Sequence, residues 1–149
     1  MKAHSGVDKD SGAVHSVHGT AANESDVAHA HAVLHGEETD VHADAGYVGI
    51  EKRAEHAGRD VVWHIAAKRG SIRKLPEGEE KAALQLQEKA KAQIRAFVEH
   101  PFHVVKNLFR YRKVRYRGLA KNTAQLCTLF GLSNLYLLRR KILAGLAGM

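Results

Sequence analysis

The sequence contains one cysteine and two prolines in 149 residues, and no apolar run approaches the ~18 residues of a membrane span. A single cysteine excludes an internal disulfide framework and a cysteine-based zinc site. Cys127 lies in an apolar helical stretch and is predicted to be a small core residue. The first residues lack the apolar core of a signal peptide. We therefore expect a cytoplasmic protein.

The first 60 residues contain few basic side chains, and the rest of the chain contains few acidic ones. Residues 1–60 hold 5 Lys and Arg against 11 Asp and Glu, a balance of −6, whereas residues 61–149 hold 18 against 5, a balance of +13. Hydrophobic residues make up 44 %, which is enough to bury a core. The cationic half predicts a polyanionic partner, and its alternative is a solubilising charged face.

The order of elements predicts a single α/β domain over residues 1–149. Pro101 interrupts the third predicted helix, because it cannot donate a hydrogen bond to residue 97, and we expect a kink there. We assign residues 122–149 to a C-terminal helix, whose regular helical pattern covers about 122–143. The predicted strands are 2–8, 13–19, 39–43 and 61–66; the predicted helices are about 26–34, 50–57, 79–109 and 122–143; the predicted linker is 68–78; the predicted buried stripe of the last helix is Leu126, Leu129, Phe130 and Leu137.

Two carboxylates are candidates for chemistry. Glu99 lies between Arg95 and Lys106, and on an ideal helix both bases fall within roughly 40° of it. That arrangement suits a metal-bound carboxylate beside a phosphate backbone, or an ordinary surface ion-pair cluster. Asp44 ends a predicted strand before a loop with two glycines, where it would bind a hard cation or cap its own loop amides.

Three stretches of the sequence resemble the C-terminal portion of a bacterial insertion-sequence DDE transposase. The first is Asp44 to Gly49, and the second is the Arg-x3-Glu-x6-Lys signature from Arg95 to Lys106. The third is VRYRGLAKNTAQL at 114–126 with SNLYLLRR at 133–140, and VHSVHGTAANESDV at 14–27 is also similar. In this order and spacing, the stretches are specific to that family.

The resemblance implies an RNase H-like mixed sheet flanked by helices. It also implies two divalent ions, Mg²⁺ or Mn²⁺, which serve strand cleavage at the element's ends and strand transfer into target DNA. Asp44 and Glu99 would then be catalytic metal ligands, and Arg95 and Lys106 would contact phosphates near the cleavage site. Double-stranded DNA, a second copy or a full-length transposase are the implied partners, and the bacterial nucleoid is the implied location.

The chain departs from the family pattern in its first part. The family's first catalytic Asp, on the first strand, has no match here, and Asp8 lies in the segment of the next strand. Ala92 lies where the family signature begins with a tyrosine, and His103 lies where a base such as Arg is expected. We therefore expect a truncated domain that lacks the first strand and is inactive alone. The alternative is a non-enzymatic DNA-binding remnant, or an inhibitor of the full-length enzyme.

A basic segment at residues 110–121 is the best candidate for contacting DNA. Its cations would neutralise phosphates without reading sequence, while Tyr111 and Tyr116 would pack on the domain or stack on exposed bases. The candidate DNA-binding residues are Arg110, Arg112, Lys113, Arg115, Arg117 and Lys121.

Eleven histidines allow another interpretation. His31 and His35 have helical spacing suited to a transition metal, but no cysteine accompanies them. Surface histidines without a metal role are the simpler interpretation. His103, four residues after Glu99, would pair with Glu99 when protonated.

Overall fold

The chain begins with a β-hairpin, as its alternating residues predict. Strands Lys2–Val7 (β1) and Val14–Thr20 (β2) pair antiparallel. At the turn, Asp8 Oδ1 accepts the Ser11 N–H at 2.9 Å. Gly12 has a φ of 74°, a left-handed conformation that glycine adopts without a steric cost. The predicted hairpin is confirmed.

The structure is a computed structural model that describes residues 1–147, except the side chains of Arg69 and Ala147. Contacts divide the chain into two compact units, Met1–Ser25 with Phe97–Met149, and Asp26–Ala96. Among the described residues, the strands form two separate two-stranded sheets rather than the one mixed sheet expected. The α/β class is confirmed.

The core of the first unit lies between the hairpin and the last helix, Leu119–Ala147 (α4). This helix begins three residues earlier than predicted, and residues 148–149 of the predicted helix lie outside the described residues. The Phe130 ring is 1 % exposed and meets the Phe102 ring edge-on at 5.0 Å. A methyl group on Gly19 of β2 would overlap the Thr123 hydroxyl of α4, so the strand and helix pack closely. The buried members of this core are Val14, Val105, Tyr111, Leu126 and Phe130.

The predicted apolar stripe of α4 is confirmed in part. Leu126 is buried, and Leu129 and Leu137 are partly buried. The prediction of a buried Cys127 is wrong, because this thiol is exposed. Cys127 follows Leu126 by one residue, and that step turns it about 100° around the helix, away from the buried stripe.

The predicted helix 79–109 is interrupted near Pro101. It consists of Glu79–Val98 (α2), His100–His103 (α3) and a π-helical turn at Val104–Leu108. Pro101 lies in the first turn of α3, where its missing N–H breaks no helical hydrogen bond. Glu99 lies between the two helices, and the π-helical turn before Lys106 departs from the 100° spacing of an α-helix, so the shared face of Arg95, Glu99 and Lys106 stays a prediction.

The second unit contains a parallel strand pair, Asp40–Ala43 (β3) and Val62–Ile65 (β4). The ring of His64 stacks on that of His42, with centroids 4.4 Å apart, and its Nε2 lies 2.8 Å from Asp40 Oδ1. Both strands are confirmed.

The short helices of this unit differ from the prediction. The predicted helices 26–34 and 50–57 are short 3₁₀ segments rather than α-helices. The predicted linker 68–78 contains a five-residue helix, Arg69–Arg73 (α1). The bounds are Val27–Val33, Ile50–Lys52 and Ala54–His56 for the 3₁₀ segments, and Arg69–Arg73 for α1.

Candidate functional site

Asp44 directly follows β3, at the carboxyl end of a parallel strand. Its Oδ1 accepts the Gly46 N–H at 2.8 Å and caps a 3₁₀ turn at Ala45–Tyr47. The side chain is exposed, and its Oδ2 makes no hydrogen bond within the described part of the chain. Asp44 therefore caps its own loop and still presents one carboxylate oxygen to solvent.

Tyr47 marks the electrostatic environment of this loop. Burial raises the pKa of the Tyr47 hydroxyl to about 12, and the nearby negative charges of Asp26 and Asp44 add to the effect. A tyrosine phenol is protonated at neutral pH even at its ordinary pKa, and the raised pKa extends the protonated form of Tyr47 to higher pH.

Glu99 occupies the junction between α2 and α3. Its carboxylate is exposed and makes no ion pair or hydrogen bond with the residues that the structure describes. The ordinary surface ion-pair cluster is therefore not formed. Lys106 Nζ instead lies 5.6 Å from the centroid of the Phe102 ring, and Arg95 Nη1 is buried without a hydrogen-bond partner.

The histidines near Glu99 have other neighbours. His103 Nδ1 accepts a hydrogen bond from Asn107 Nδ2 at 3.0 Å, so the predicted pairing of His103 with Glu99 is not formed. His100 meets the Phe97 ring edge-on at 5.6 Å. Among residues 1–147, no group of three or more His, Cys, Asp or Glu side chains is arranged to hold a metal ion.

The basic segment is an irregular stretch between the π-helical turn and α4. All six predicted DNA-binding side chains are exposed. Arg112 is the most constrained of them, because its Nη2 donates to Asn107 Oδ1 at 3.0 Å. The other five make no ion pair or side-chain hydrogen bond in the described chain. Tyr111 is buried as expected for a packing residue, whereas Tyr116 is 51 % exposed.

A family model of the transposase DDE domain matches residues 1–135. The chain belongs to this family. No solved structure matches it. The matched range of this DDE domain includes Asp44, Glu99 and the whole basic segment. None of its described helices has the length and apolar character needed to cross a membrane.

Asn122 shapes the basic segment of the DDE domain, a role that the sequence did not indicate. Its side chain is 3 % exposed. Its Oδ1 accepts the N–H groups of Arg115 and Tyr116 at 3.2 and 3.1 Å, and its Nδ2 donates to the carbonyls of Tyr116 and Gly118 at 2.6 and 2.7 Å. One amide thus satisfies four backbone groups and holds the chain that carries the cations.

A second asparagine anchors the hairpin to α4. Asn134 Oδ1 accepts the Val14 N–H at 2.8 Å, and its Nδ2 donates to the Val14 carbonyl at 2.7 Å. The side-chain amide therefore pairs with β2 as a neighbouring strand would. The signal in the sequence is an asparagine inside an apolar helix, where it is a weak helix former.

Arg110 → Gly is expected to change stability and DNA affinity in opposite directions. Arg110 has a φ of 57°, a conformation that costs a non-glycine residue about 1–3 kcal/mol. Glycine relieves this strain but has greater freedom in the unfolded chain, so the free energy of unfolding should rise by about 1 kcal/mol. Affinity for DNA should fall because one phosphate-binding charge is lost. Urea denaturation and fluorescence anisotropy measure the two effects.

Arg115 → Gly is the matched control for this prediction. It removes the same charge from a residue whose φ is not positive, so stability and affinity should both fall. An Arg110 → Gly variant that is less stable than the parent would contradict the strain argument.

Proposed function

We propose that the chain is a truncated transposase domain for DNA transposition of an insertion sequence, whose chemistry is metal-dependent strand cleavage and strand transfer on an RNase H-like fold, and that it is inactive alone. The observation that carries the proposal is the family match over residues 1–135. Support comes from two exposed carboxylates, Asp44 and Glu99, and from an exposed cationic segment. We infer that double-stranded DNA is the partner, bound by a homodimer or together with a full-length transposase.

The carboxylates suit a hard divalent cation in their chemistry. Asp44 Oδ2 and the Glu99 carboxylate make no hydrogen bond within the described residues, and Mg²⁺ prefers carboxylate oxygens. We propose Asp44 and Glu99 as ligands of Mg²⁺ or Mn²⁺. The chemistry supplied by such bound ions is activation of a water or a DNA 3′-hydroxyl, with stabilisation of the leaving oxygen.

Arg95 and Lys106 are proposed to hold phosphates near the cleavage site. Arg95 Nη1 is a buried donor without a hydrogen-bond partner in the described residues, and a buried donor of this kind is costly unless a ligand satisfies it. Lys106 is exposed, and its ammonium group lies over the Phe102 ring and makes no ion pair within the described part of the chain. Both side chains thus retain donors for phosphate oxygens.

A third carboxylate is needed for the three-carboxylate chemistry of the family. Asp8 is a poor candidate, because it lies at the hairpin turn, in the segment of the family's next strand, and does not match the motif of the family's first Asp. We propose that the third ligand comes from residues beyond those matched here. The second candidate function, a DNA-binding remnant or inhibitor, is favoured by the same count of two matched carboxylates.

The test is cleavage and strand transfer on a labelled duplex that carries the ends of the parent element, with Mg²⁺ or Mn²⁺. We expect Asp44 → Asn and Glu99 → Gln to reduce any metal-dependent product to background, since an amide is a weaker metal ligand than a carboxylate. The exposed carboxylates Asp10 and Glu80 provide the controls Asp10 → Asn and Glu80 → Gln, which should retain activity.

Three outcomes separate the candidates. Activity lost only in the two site variants supports the enzyme. DNA binding without cleavage in any protein supports the remnant or inhibitor. Cleavage that persists in both site variants contradicts the assignment of Asp44 and Glu99.

A further inference from the structure

A groove of about 500 Å³ lies beside the basic segment, within the first unit. It is shallow and open to solvent. One wall is the exposed ring of Tyr116, and the rest comes from α4. The lining residues are Tyr116, Lys121, Ala124, Gln125, Thr128 and Leu129.

We propose that this groove binds an unpaired nucleobase of the DNA strand whose phosphates contact the basic segment. The proposal rests on the DNA binding proposed above and adds a preference for DNA with an unpaired position. The groove combines the parts that such a ligand needs: an aromatic face, an apolar surface, a cation and an amide.

Tyr116 and Leu129 provide the apolar contacts. Tyr116 is 51 % exposed although large apolar side chains gain from burial, and Leu129 is partly buried in the groove. Stacking of a base on an aromatic ring is tolerant of sequence, and it typically changes affinity about 5- to 150-fold per base. A base seated here would cover the exposed face of Tyr116.

Gln125 and Lys121 provide the polar contacts. Gln125 Oε1 is buried and has no hydrogen-bond partner among the residues that the structure describes, which is uncommon for a buried acceptor. Rotation of this amide would turn its oxygen or nitrogen toward the edge of a base. Lys121 makes no ion pair in the described chain, so its ammonium group remains available for the adjoining phosphate.

A fully paired duplex would not fill the groove. Each paired base is stacked on both sides, so its faces are closed to Tyr116, and its pairing edge is closed to Gln125. An unpaired base has its faces and edge available. The geometry therefore favours gapped or single-stranded DNA over intact duplex.

The experiment compares two labelled duplexes of equal length. One is fully paired, and the other is gapped, so that a single 2-aminopurine is left unpaired. Anisotropy measures affinity, and 2-aminopurine fluorescence measures stacking. We expect the parent chain to bind the gapped duplex at least about 5-fold more tightly and to quench the probe. Tyr116 → Ala should lose both effects and Tyr116 → Phe should retain them. Gln125 → Leu should retain the quenching and reduce the preference.

Tyr136 → Ala is the matched control. Tyr136 is 41 % exposed on α4, outside the groove, and the centroid of its ring lies 4.4 Å from Arg139 Cζ. The control should keep the preference for the gapped duplex. If the parent chain binds both duplexes equally, this inference is overturned while DNA binding stands. The same follows if Tyr136 → Ala loses the preference for the gapped duplex as fully as Tyr116 → Ala does. Failure to bind either duplex overturns the proposed function as well.

Discussion

Asn122 → Leu is expected to lower the free energy of unfolding by about 3–5 kcal/mol and to release the basic segment. Leucine has a similar size but satisfies none of the four backbone groups that the Asn122 amide contacts. Each buried group left without a partner costs about 1–3 kcal/mol. Water will reach some of these groups because the segment is otherwise exposed, so the total should fall below the sum of four full penalties.

Urea denaturation measures the stability change, and limited trypsin digestion measures release of the segment. Trypsin cleaves after Arg and Lys, so a released segment should be cut at Arg115 and Arg117 before the rest of the domain. Asn23 → Leu is the control, because Asn23 is exposed in a loop. Equal stability of the two variants would show that the Asn122 amide does not hold the segment.

The strands were predictable because their signals are local. Alternation of Val with His or Ser marked β2, and the Asp-Ser-Gly turn marked the hairpin. The position of Asp44 at the end of β3 followed from the same period-two pattern. Such patterns depend on neighbouring residues alone, so the sequence is sufficient to read them.

The features that were missed depend on residues distant in the chain or on backbone detail. Asn134 contacts Val14 across 120 positions, and no periodicity indicates which backbone group an asparagine will satisfy. The spacing from Glu99 to Lys106 assumed 100° per residue, which the π-helical turn at Val104–Leu108 alters. The residue types of the candidate site were thus predictable, whereas their surroundings were not.

The charge of the basic segment should dominate DNA affinity and its dependence on salt. Five cations without ion pairs, if each contacts one phosphate, give a slope of about −4.5 for log affinity against log salt concentration, at about −0.9 per contact. Replacing all five with glutamine should reduce the magnitude of the slope by about 4.5, which leaves only the contributions of Arg95, Lys106 and Arg112, and should remove most binding at low salt. The five are Arg110, Lys113, Arg115, Arg117 and Lys121.

Single variants separate this interface from a solubilising charged face. Arg115 → Gln should reduce the magnitude of the slope by about 0.9. Arg112 → Gln should reduce it by less, because the Arg112 guanidinium already donates to Asn107 and to the Lys106 carbonyl. A solubilising face requires no phosphate contacts, so its removal would leave the slope unchanged and promote aggregation instead. If the five-residue variant still binds DNA with an unchanged slope, the DNA interface therefore lies outside the basic segment.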